Sequence, residues 1–128
     1  MSNYKVNGKT IILKKEDENG LYTHAQALEY SSKLGGGWRL PDSSELEEIR
    51  KQELKKGISQ FLKLGLKFSD PTAIEGPYYS YICTNRRAEV LDPELSLTAF
   101  NFDDGVAYMS TEESECLLRL VREAKGFS

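Results

Sequence analysis

The 128-residue sequence is 39% apolar and 29% charged, and its 17 basic and 20 acidic residues give a net charge of −3. This length predicts a single domain over residues 1–128 with one core. The slight negative charge excludes a global attraction to nucleic acid or to an anionic membrane surface, and no segment is long and apolar enough to span a bilayer.

The first residues contain a lysine, Lys5, with no apolar run of the signal-peptide type behind it. We therefore expect a cytoplasmic protein as encoded, with a virion or non-classical export left open. Cys83 and Cys116 are too few for a metal knuckle, and a reducing compartment would keep both as thiols. Whether they ever form a disulfide stays open.

The chain begins with a predicted β-hairpin over residues 4–13, because Asn7-Gly8 stands between a short strand and a β-branched run. A charged link over residues 14–18 leads to a second Asn-Gly pair. Thr23 and Gln26 have the spacing of a capping box, so a helix is predicted from Thr23 to about Leu34. Its expected packing face carries small and medium residues: Ala27, Tyr30, Ser31 and Leu34.

Three glycines end this helix and are followed by the stretch Trp38-Arg39-Leu40-Pro41, after which Asp42 and Glu45 have the spacing of a second capping box. A second helix is predicted over residues 43–55, with Gly57 as its end and one further helical turn near Phe61. Its lysine-rich side is expected to face solvent. Residues 64–77 are predicted to be an irregular loop.

The last third of the sequence is predicted to form an antiparallel sheet. Strands are predicted over residues 78–84, 95–102 and 106–109, with a tight turn at Asp103-Asp104-Gly105. Residues 116–122 form the most apolar run of the chain, which predicts a central final strand. A second loop is predicted over residues 84–94.

The order of these motifs, from the Gly-Trp-Arg-Leu-Pro stretch to the closing Arg-Leu-Val-Arg, resembles the Lcl C-terminal domain family, a bacterial family of largely unknown function. The resemblance covers residues 20–122 and implies an α+β, C-type-lectin-like fold similar to that of the formylglycine-generating enzymes. Two helices would pack on a mainly antiparallel, loop-rich sheet, with the chain ends paired. The resemblance makes six residues structural: Trp38, Arg39, Leu40, Pro41, Gly105 and Arg122.

Family members that carry a disulfide place cysteines in the first helix and in the closing motif. This sequence has Ser31-Ser32 and Leu120 at those places, so that disulfide is not expected. The fold itself hosts sugar binders, protein binders, phage adhesins and a few enzymes, so the resemblance does not fix an activity.

The residue types favour binding over catalysis or metal chemistry. His24 is the only histidine and begins a helix, which is a poor basis for a metal cluster or a catalytic triad. Asp103 and Asp104 are first a hairpin turn, and whether calcium binds stays open. A strand cysteine is usually a small buried hydrophobic residue. We therefore expect no cofactor and no resident metal.

The candidate ligand-binding residues lie on the tyrosine-rich strand and the loop after it. Tyrosine, asparagine and arginine supply contact area and hydrogen bonds at little entropic cost. The candidates are Tyr79, Tyr81, Asn85, Arg86 and Arg87.

The sequence therefore predicts a non-enzymatic binding module that recognises a protein or a glycan through residues 64–77 and 84–94, and not nucleic acid or a membrane. A homo-oligomer stays open. The alternatives are a small cysteine-dependent enzyme related to the formylglycine-generating fold and a phage-encoded or immunity-type intracellular inhibitor.

Overall fold

The computed structural model describes residues 2–67, 80–86, 97–102 and 104–124. Tyr79, Arg87 and most of the two predicted loops lie outside these ranges, and of Asn85 and Arg86 only the backbone is described. Across the described ranges, no helix combines the length and the apolar character that crossing a membrane requires.

The described residues form an α+β structure with two three-stranded antiparallel sheets. The first sheet has the order β1-β2-β6, and the second has the order β3-β4-β5. The strands are β1 Ser2–Val6, β2 Lys9–Leu13, β3 Tyr81–Arg86, β4 Leu97–Asn101, β5 Val106–Ser110 and β6 Val121–Glu123. The helices are α1 His24–Leu34, α2 Ser43–Lys56 and α3 Ile58–Leu62.

The two predicted hairpins are confirmed. Strands β1 and β2 pair around Asn7-Gly8, where Asn7 has a φ of 50° and Gly8 a φ of 79°. These positive φ angles are the ones that a two-residue hairpin turn of this kind needs. Strands β4 and β5 pair around the turn that ends at Gly105, whose N–H donates to the carbonyl of Asn101 at 2.9 Å.

Both predicted capping boxes are also confirmed. The Thr23 hydroxyl accepts from the Gln26 N–H at 3.2 Å, and the Gln26 side chain accepts from the Thr23 N–H at 3.0 Å. At α2, Asp42 and Glu45 make the same reciprocal arrangement. Such boxes satisfy backbone donors that a helix start would otherwise leave unpaired.

The packing face predicted for α1 is right at three of its four positions. Ala27 and Ser31 are buried and Tyr30 is half-buried, but Leu34 is 44% exposed. The helix ends at Leu34, and Gly35 with a φ of 70° turns the chain away immediately afterwards. Within the described ranges, the last turn of α1 therefore leaves Leu34 largely uncovered.

Two corrections concern the C-terminal strands. Of the predicted strand 78–84, residues 78 and 79 lie outside the described residues, Ser80 is not part of a strand, and β3 runs from Tyr81 to Arg86, with a register shift between Ile82 and Arg86. Arg86 pairs with Leu97 across this irregularity, so the predicted loop 84–94 starts too early. In β4, all five residues are buried, including the polar Thr98 and Asn101.

The predicted central final strand over residues 116–122 is also wrong. Of these residues, only the part within Val121–Glu123 forms a strand. This strand, β6, pairs with β2 and lies at the edge of the first sheet. In the segment before it, Cys116 forms an isolated β-bridge with Tyr22, and Leu117 forms one with Tyr81. Its apolar side chains are buried because the segment runs between the two sheets, and this burial does not require a regular strand.

The core has two clusters on either side of this segment. The larger one joins both sheets to α2 and α3: Tyr4, Val6, Ile11, Leu13, Leu46, Ile49, Phe61, Leu66, Tyr81, Cys83, Phe100, Phe102, Leu117 and Val121. The smaller one joins α1 to the Leu40 region and the closing segment: Ala27, Leu40, Ile82, Leu118 and Leu120.

Candidate functional site

The segment over residues 14–22, here called the connector, is fixed along the closing segment by backbone hydrogen bonds. The Lys14 N–H donates to Leu120, and the Glu18 N–H donates to Leu118, both at 2.9 Å. Tyr22 and Cys116 exchange two hydrogen bonds, at 2.9 and 2.8 Å. The connector is therefore held at three points along its length, although it contains no strand of its own beyond the bridge at Tyr22.

A buried arginine fixes the middle of the connector. Arg119 is 1% exposed. Its Nε donates to Asp17 Oδ1 at 2.6 Å, and its Nη1 lies 3.1 and 3.2 Å from the carbonyl oxygens of Lys14 and Lys15 and 2.9 Å from that of Leu64. A buried charge is tolerated only when it is paired and hydrogen-bonded, as it is here. Arg119 thus joins the closing segment, the connector and the chain after α3.

Tyr81 completes this buried cluster from β3. Its hydroxyl donates to Asp17 Oδ2 at 2.7 Å and accepts from the Lys67 N–H at 2.8 Å. Burial raises the pKa of Tyr81 above its ordinary value. The phenol therefore stays neutral and serves as a hydrogen-bonding link between Asp17 and the backbone of Lys67.

These contacts form the floor of an open cavity of about 460 Å³, here called the connector cavity. Its walls come from the connector on one side and from the chain after α3 on the other. Its lining residues are Lys15, Glu16, Asp17, Glu18, Asn19, Gly20, Leu21, Gly65, Lys67, Leu117 and Arg119.

A second polar group holds the connector against α1. The Glu18 carboxylate accepts from Lys14 Nζ and, at 2.6 Å, from the Tyr30 hydroxyl. The hydrogen bond with Glu18 is the main cause that raises the pKa of Tyr30 to about 12. Because this bond needs a protonated phenol, Tyr30 acts as a positioning group for the connector wall.

A second open depression, of about 420 Å³, lies on the α1 side of the connector and is here called the α1 depression. Its lining residues are Leu21, Tyr22, Gln26, Glu29, Tyr30 and Lys33. Leu21 lines both concavities and is 54% exposed. The two concavities therefore meet at an exposed apolar side chain.

The residues of the Gly-Trp-Arg-Leu-Pro stretch lie apart from these concavities and contact the framework. Trp38 is half-buried against the smaller core cluster, with the Arg122 guanidinium 4.9 Å from its ring centroid and Lys14 Nζ at 5.9 Å. Arg39 donates to both carboxylate oxygens of Glu45 at 2.8 and 2.7 Å. These contacts agree with the structural role that the resemblance implies.

The other signature residues also have framework contacts. Leu40 is 2% exposed, and the Pro41 carbonyl accepts from the Thr84 N–H at 2.8 Å. Gly105 has a φ of 72°, and a Cβ there would lie 2.7 Å from Arg50 Nη1. The positive φ therefore favours glycine in this turn, and a side chain there would also have to displace the end of Arg50.

The residues predicted to bind a ligand are only partly brought together. Tyr79 and Arg87 lie outside the described residues. Asn85 and Arg86 belong to β3 and not to a loop. Tyr81 is 0% exposed, so it offers a ligand no direct contact and instead supports the cavity floor from below.

Of the predicted loop over residues 64–77, the described beginning contributes Gly65 and Lys67 to the connector cavity. The connector itself was predicted only as a charged link between a hairpin and a helix. One signal could have drawn attention to it, because Arg119 interrupts the most apolar run of the chain and a charge in such a run must find a partner. Its partner Asp17 lies 102 positions away, which no local pattern reveals.

Neither cysteine has the surroundings of a reactive thiol. Cys83 is 0% exposed in β3, and burial raises its pKa. Burial also raises the pKa of Cys116, which bridges Tyr22 and so lies outside the second sheet, contrary to the prediction. Both are free thiols. Among the described residues, no group of three acidic, histidine or cysteine side chains could hold a metal ion.

No protein-family model matches the chain, and no curated protein does so.

Proposed function

We propose that this protein is a non-enzymatic binding module, and that a segment of another protein occupies the connector cavity and the α1 depression. The observation that carries the proposal is the continuity of these two concavities at the exposed Leu21. Concave surfaces with a few placed polar groups and an apolar contact point are typical of binding sites. A peptide that crosses Leu21 would contact both concavities at once.

The rigidity of the floor supports the same function. Arg119, Asp17 and Tyr81 are joined by hydrogen bonds of 2.6 and 2.7 Å, and they hold the connector and the chain after α3 in fixed positions. A site that is already ordered loses little conformational entropy when a ligand binds. Affinity can then come from a modest contact area.

A protein ligand is favoured over a glycan by the character of the surface. The cavity rim carries both signs of charge, with Lys15 and Lys67 against Glu16, and Leu21 offers an apolar contact for a side chain. The rings of Tyr22 and Tyr30 in the α1 depression are tilted against each other at 5.4 Å, and both hydroxyls donate to connector oxygens. The two hydroxyls are therefore already used to hold the connector wall, which makes them less suited to bind the hydroxyls of a glycan.

The alternative of a cysteine-dependent enzyme has little support. The nucleophile in such enzymes is a thiolate, and burial raises the pKa of both Cys83 and Cys116. Alkylation at neutral pH should be slow at Cys83 in the folded protein and fast after unfolding. Rapid stoichiometric alkylation of either cysteine in the folded state would favour the enzyme. An intracellular inhibitor would be a special case of a protein-binding module.

The C-type-lectin-like fold and membership of the Lcl C-terminal domain family are part of this proposal. Strand β2, near the start of the chain, pairs with β6 near its end, which agrees with the paired chain ends that the resemblance implies. A separate antiparallel sheet, β3-β4-β5, and the helices α1 and α2 on either side of the Gly-Trp-Arg-Leu-Pro stretch support it further.

The function is tested by selecting phage-displayed peptides on the immobilised protein and measuring their affinity by calorimetry. Leu21→Glu should weaken the selected peptides about tenfold or more, because it removes the apolar contact between the concavities. Ile58→Glu is the matched control, since Ile58 is 61% exposed on α3 and lines neither concavity. Equal affinity for the parent and the Leu21→Glu variant would contradict the proposal.

A further inference from the structure

The guanidinium of Arg119 has donors that the described residues do not use. Its Nε donates to Asp17, and its Nη1 donates to the carbonyls of Lys14, Lys15 and Leu64. Its Nη2 donates no hydrogen bond within the ranges that the structure describes. A guanidinium carries five N–H donors, so the two on Nη2 remain for another acceptor. The side chain is 98% buried, so a ligand would reach Nη2 through the connector cavity, which Arg119 lines.

The Nη2 atom of Arg119 lies close to Gly65 at the connector cavity. Arg119 and Gly65 both line the connector cavity, and a Cβ on Gly65 would lie 3.8 Å from Nη2. Gly65 has a φ of 68°, a conformation in which glycine is favoured, and it places no side chain over the guanidinium. A small acceptor group in the cavity could therefore reach Nη2.

The charges at the cavity rim also favour an acceptor. Among the acidic lining residues, Asp17 is engaged by Arg119, and Glu18 is engaged by Lys14. Lys15 and Lys67 line the cavity as exposed cations, and neither has an ion pair with any described residue. Glu16 is the one acidic lining residue without such a partner. Among the described lining residues, the cations left for a ligand thus outnumber the anions.

We infer that the connector cavity contains a carboxylate subsite, in which Arg119 Nη2 donates to the ligand and Lys15 and Lys67 add favourable charge. The inference rests on the proposed function, because the carboxylate would belong to an acidic side chain or to the C-terminus of the bound protein segment. A carboxylate is preferred over a neutral carbonyl because it adds the attraction of its negative charge to the guanidinium and to the two lysines, and it accepts short charge-assisted hydrogen bonds.

The test uses small probes and the intact protein. Uniform nitrogen-15 labelling allows the Arg119 side chain and the backbone amides to be followed by nuclear magnetic resonance while N-acetyl-glutamate amide is added at low salt. We expect saturable shifts of the Arg119 signals and of the Gly65 and Lys67 amides. N-acetyl-glutamine amide, which is neutral but equal in shape, should bind about tenfold more weakly.

Charge variants give changes of opposite sign. Lys15→Gln and Lys67→Gln should each weaken the acidic probe about two- to fivefold, and Glu16→Gln should strengthen it by a similar factor. Lys51→Gln and Lys55→Gln, on the exposed side of α2, are the matched controls and should have little effect. Arg119 itself is left intact because its loss would destabilise the floor that it holds together.

Two further probes identify the source of the carboxylate. Tight binding of N-acetyl-alanyl-glutamine with a free C-terminus would assign the subsite to a chain end, and tight binding of N-acetyl-glutamate amide would assign it to an acidic side chain. Stronger binding of glucuronate than of either peptide probe would overturn the assignment to a protein ligand.

Equal binding of the glutamate and glutamine probes, or shifts at residues remote from the cavity, would overturn the subsite. If selected peptides still depended on Leu21 in that case, the proposed binding function would stand without the carboxylate subsite. If neither small probes nor peptides bound at the cavity, both proposals would fall.

Discussion

At the scale of single residues, Trp38 is held mainly by cations and by the smaller core cluster. The Arg122 guanidinium lies 4.9 Å from its ring centroid, and Lys14 Nζ lies 5.9 Å away. A guanidinium over an indole ring is favourable by about 0.5–2 kcal/mol. Lys14 belongs to the connector and also binds Glu18. Trp38 therefore lies next to the connector as well as next to the closing strand.

We predict that Trp38→Ala lowers the free energy of unfolding by about 2 kcal/mol. Replacing a fully buried tryptophan costs about 3–5 kcal/mol, and the loss is smaller here because the ring is only half-buried. Denaturant unfolding measures this loss. Leu34→Ala, at a 44% exposed position of α1, is the control and should change the free energy of unfolding by about 0.5 kcal/mol or less. An unchanged stability of the Trp38→Ala protein would rule out the framework role.

Gly105 permits a second residue-scale prediction. A Cβ there would lie 2.7 Å from Arg50 Nη1, whose neighbouring Nε donates to the Phe102 carbonyl at 2.9 Å. Gly105→Ala should therefore cost the conformational strain of about 1–2 kcal/mol and about 1 kcal/mol more for displacing Arg50. Gly8→Ala separates the two causes, because Gly8 has a φ of 79° with nothing within 4 Å of its Cβ. Equal losses in thermal unfolding would show that Arg50 moves without cost.

At the scale of elements, β3 supports the cavity from below through Tyr81. Its hydroxyl links Asp17 of the connector to the backbone of Lys67, two segments that have no strand pairing with β3 at these positions. The element thereby fixes the distance between the two walls of the connector cavity. The hydroxyl is the only part of the side chain that performs this task, so it can be removed without a change of ring volume.

We predict that Tyr81→Phe lowers the free energy of unfolding by about 1–3 kcal/mol, because it removes the hydrogen bonds that the hydroxyl makes with Asp17 Oδ2 and with the Lys67 N–H. Hydrogen exchange of the Lys67 amide should accelerate. Tyr108→Phe is the matched control, since Tyr108 is 46% exposed on β5 and its hydroxyl bonds to Asp104 at the surface. Its effect should stay within about 0.5 kcal/mol. Similar losses in the two variants would contradict the role of Tyr81 as a link between the walls.

Elements whose ends carry local chemistry were predictable from the sequence. The Asn7-Gly8 turn and the capping boxes at Thr23 and Asp42 involve residues within four positions of one another, so the pattern contains the whole interaction. The final strand was not predictable in this way. The run around Leu118 is buried by packing between two sheets, and an apolar run cannot distinguish that environment from a central strand.

The candidate site was predictable to a smaller extent. The loop over residues 64–77 was expected to contact a ligand, and its described part does line the cavity through Gly65 and Lys67. The connector was missed because its role depends on Arg119, 102 positions from Asp17. Interactions of this range arise from the chain path as a whole, and neither periodicity nor composition encodes them.

At the scale of the whole molecule, three distant segments build one concave surface. The connector, the chain after α3 and the closing segment meet at Arg119, which belongs to the closing segment and binds backbone carbonyls of the other two. The exposed Leu21 then joins this cavity to the α1 depression. The framework residues, such as Leu40 and Gly105, lie elsewhere and hold the fold.

The central claim, that this concave surface is the ligand-binding site, is tested most directly by mapping a selected peptide on the isotope-labelled protein by nuclear magnetic resonance. The account predicts that the largest amide shifts fall on residues 15–21, on Gly65 and on Lys67, with little change on the exposed side of α2 at Lys51 and Lys55. The largest shifts on that side of α2, with the connector unaffected, would contradict it.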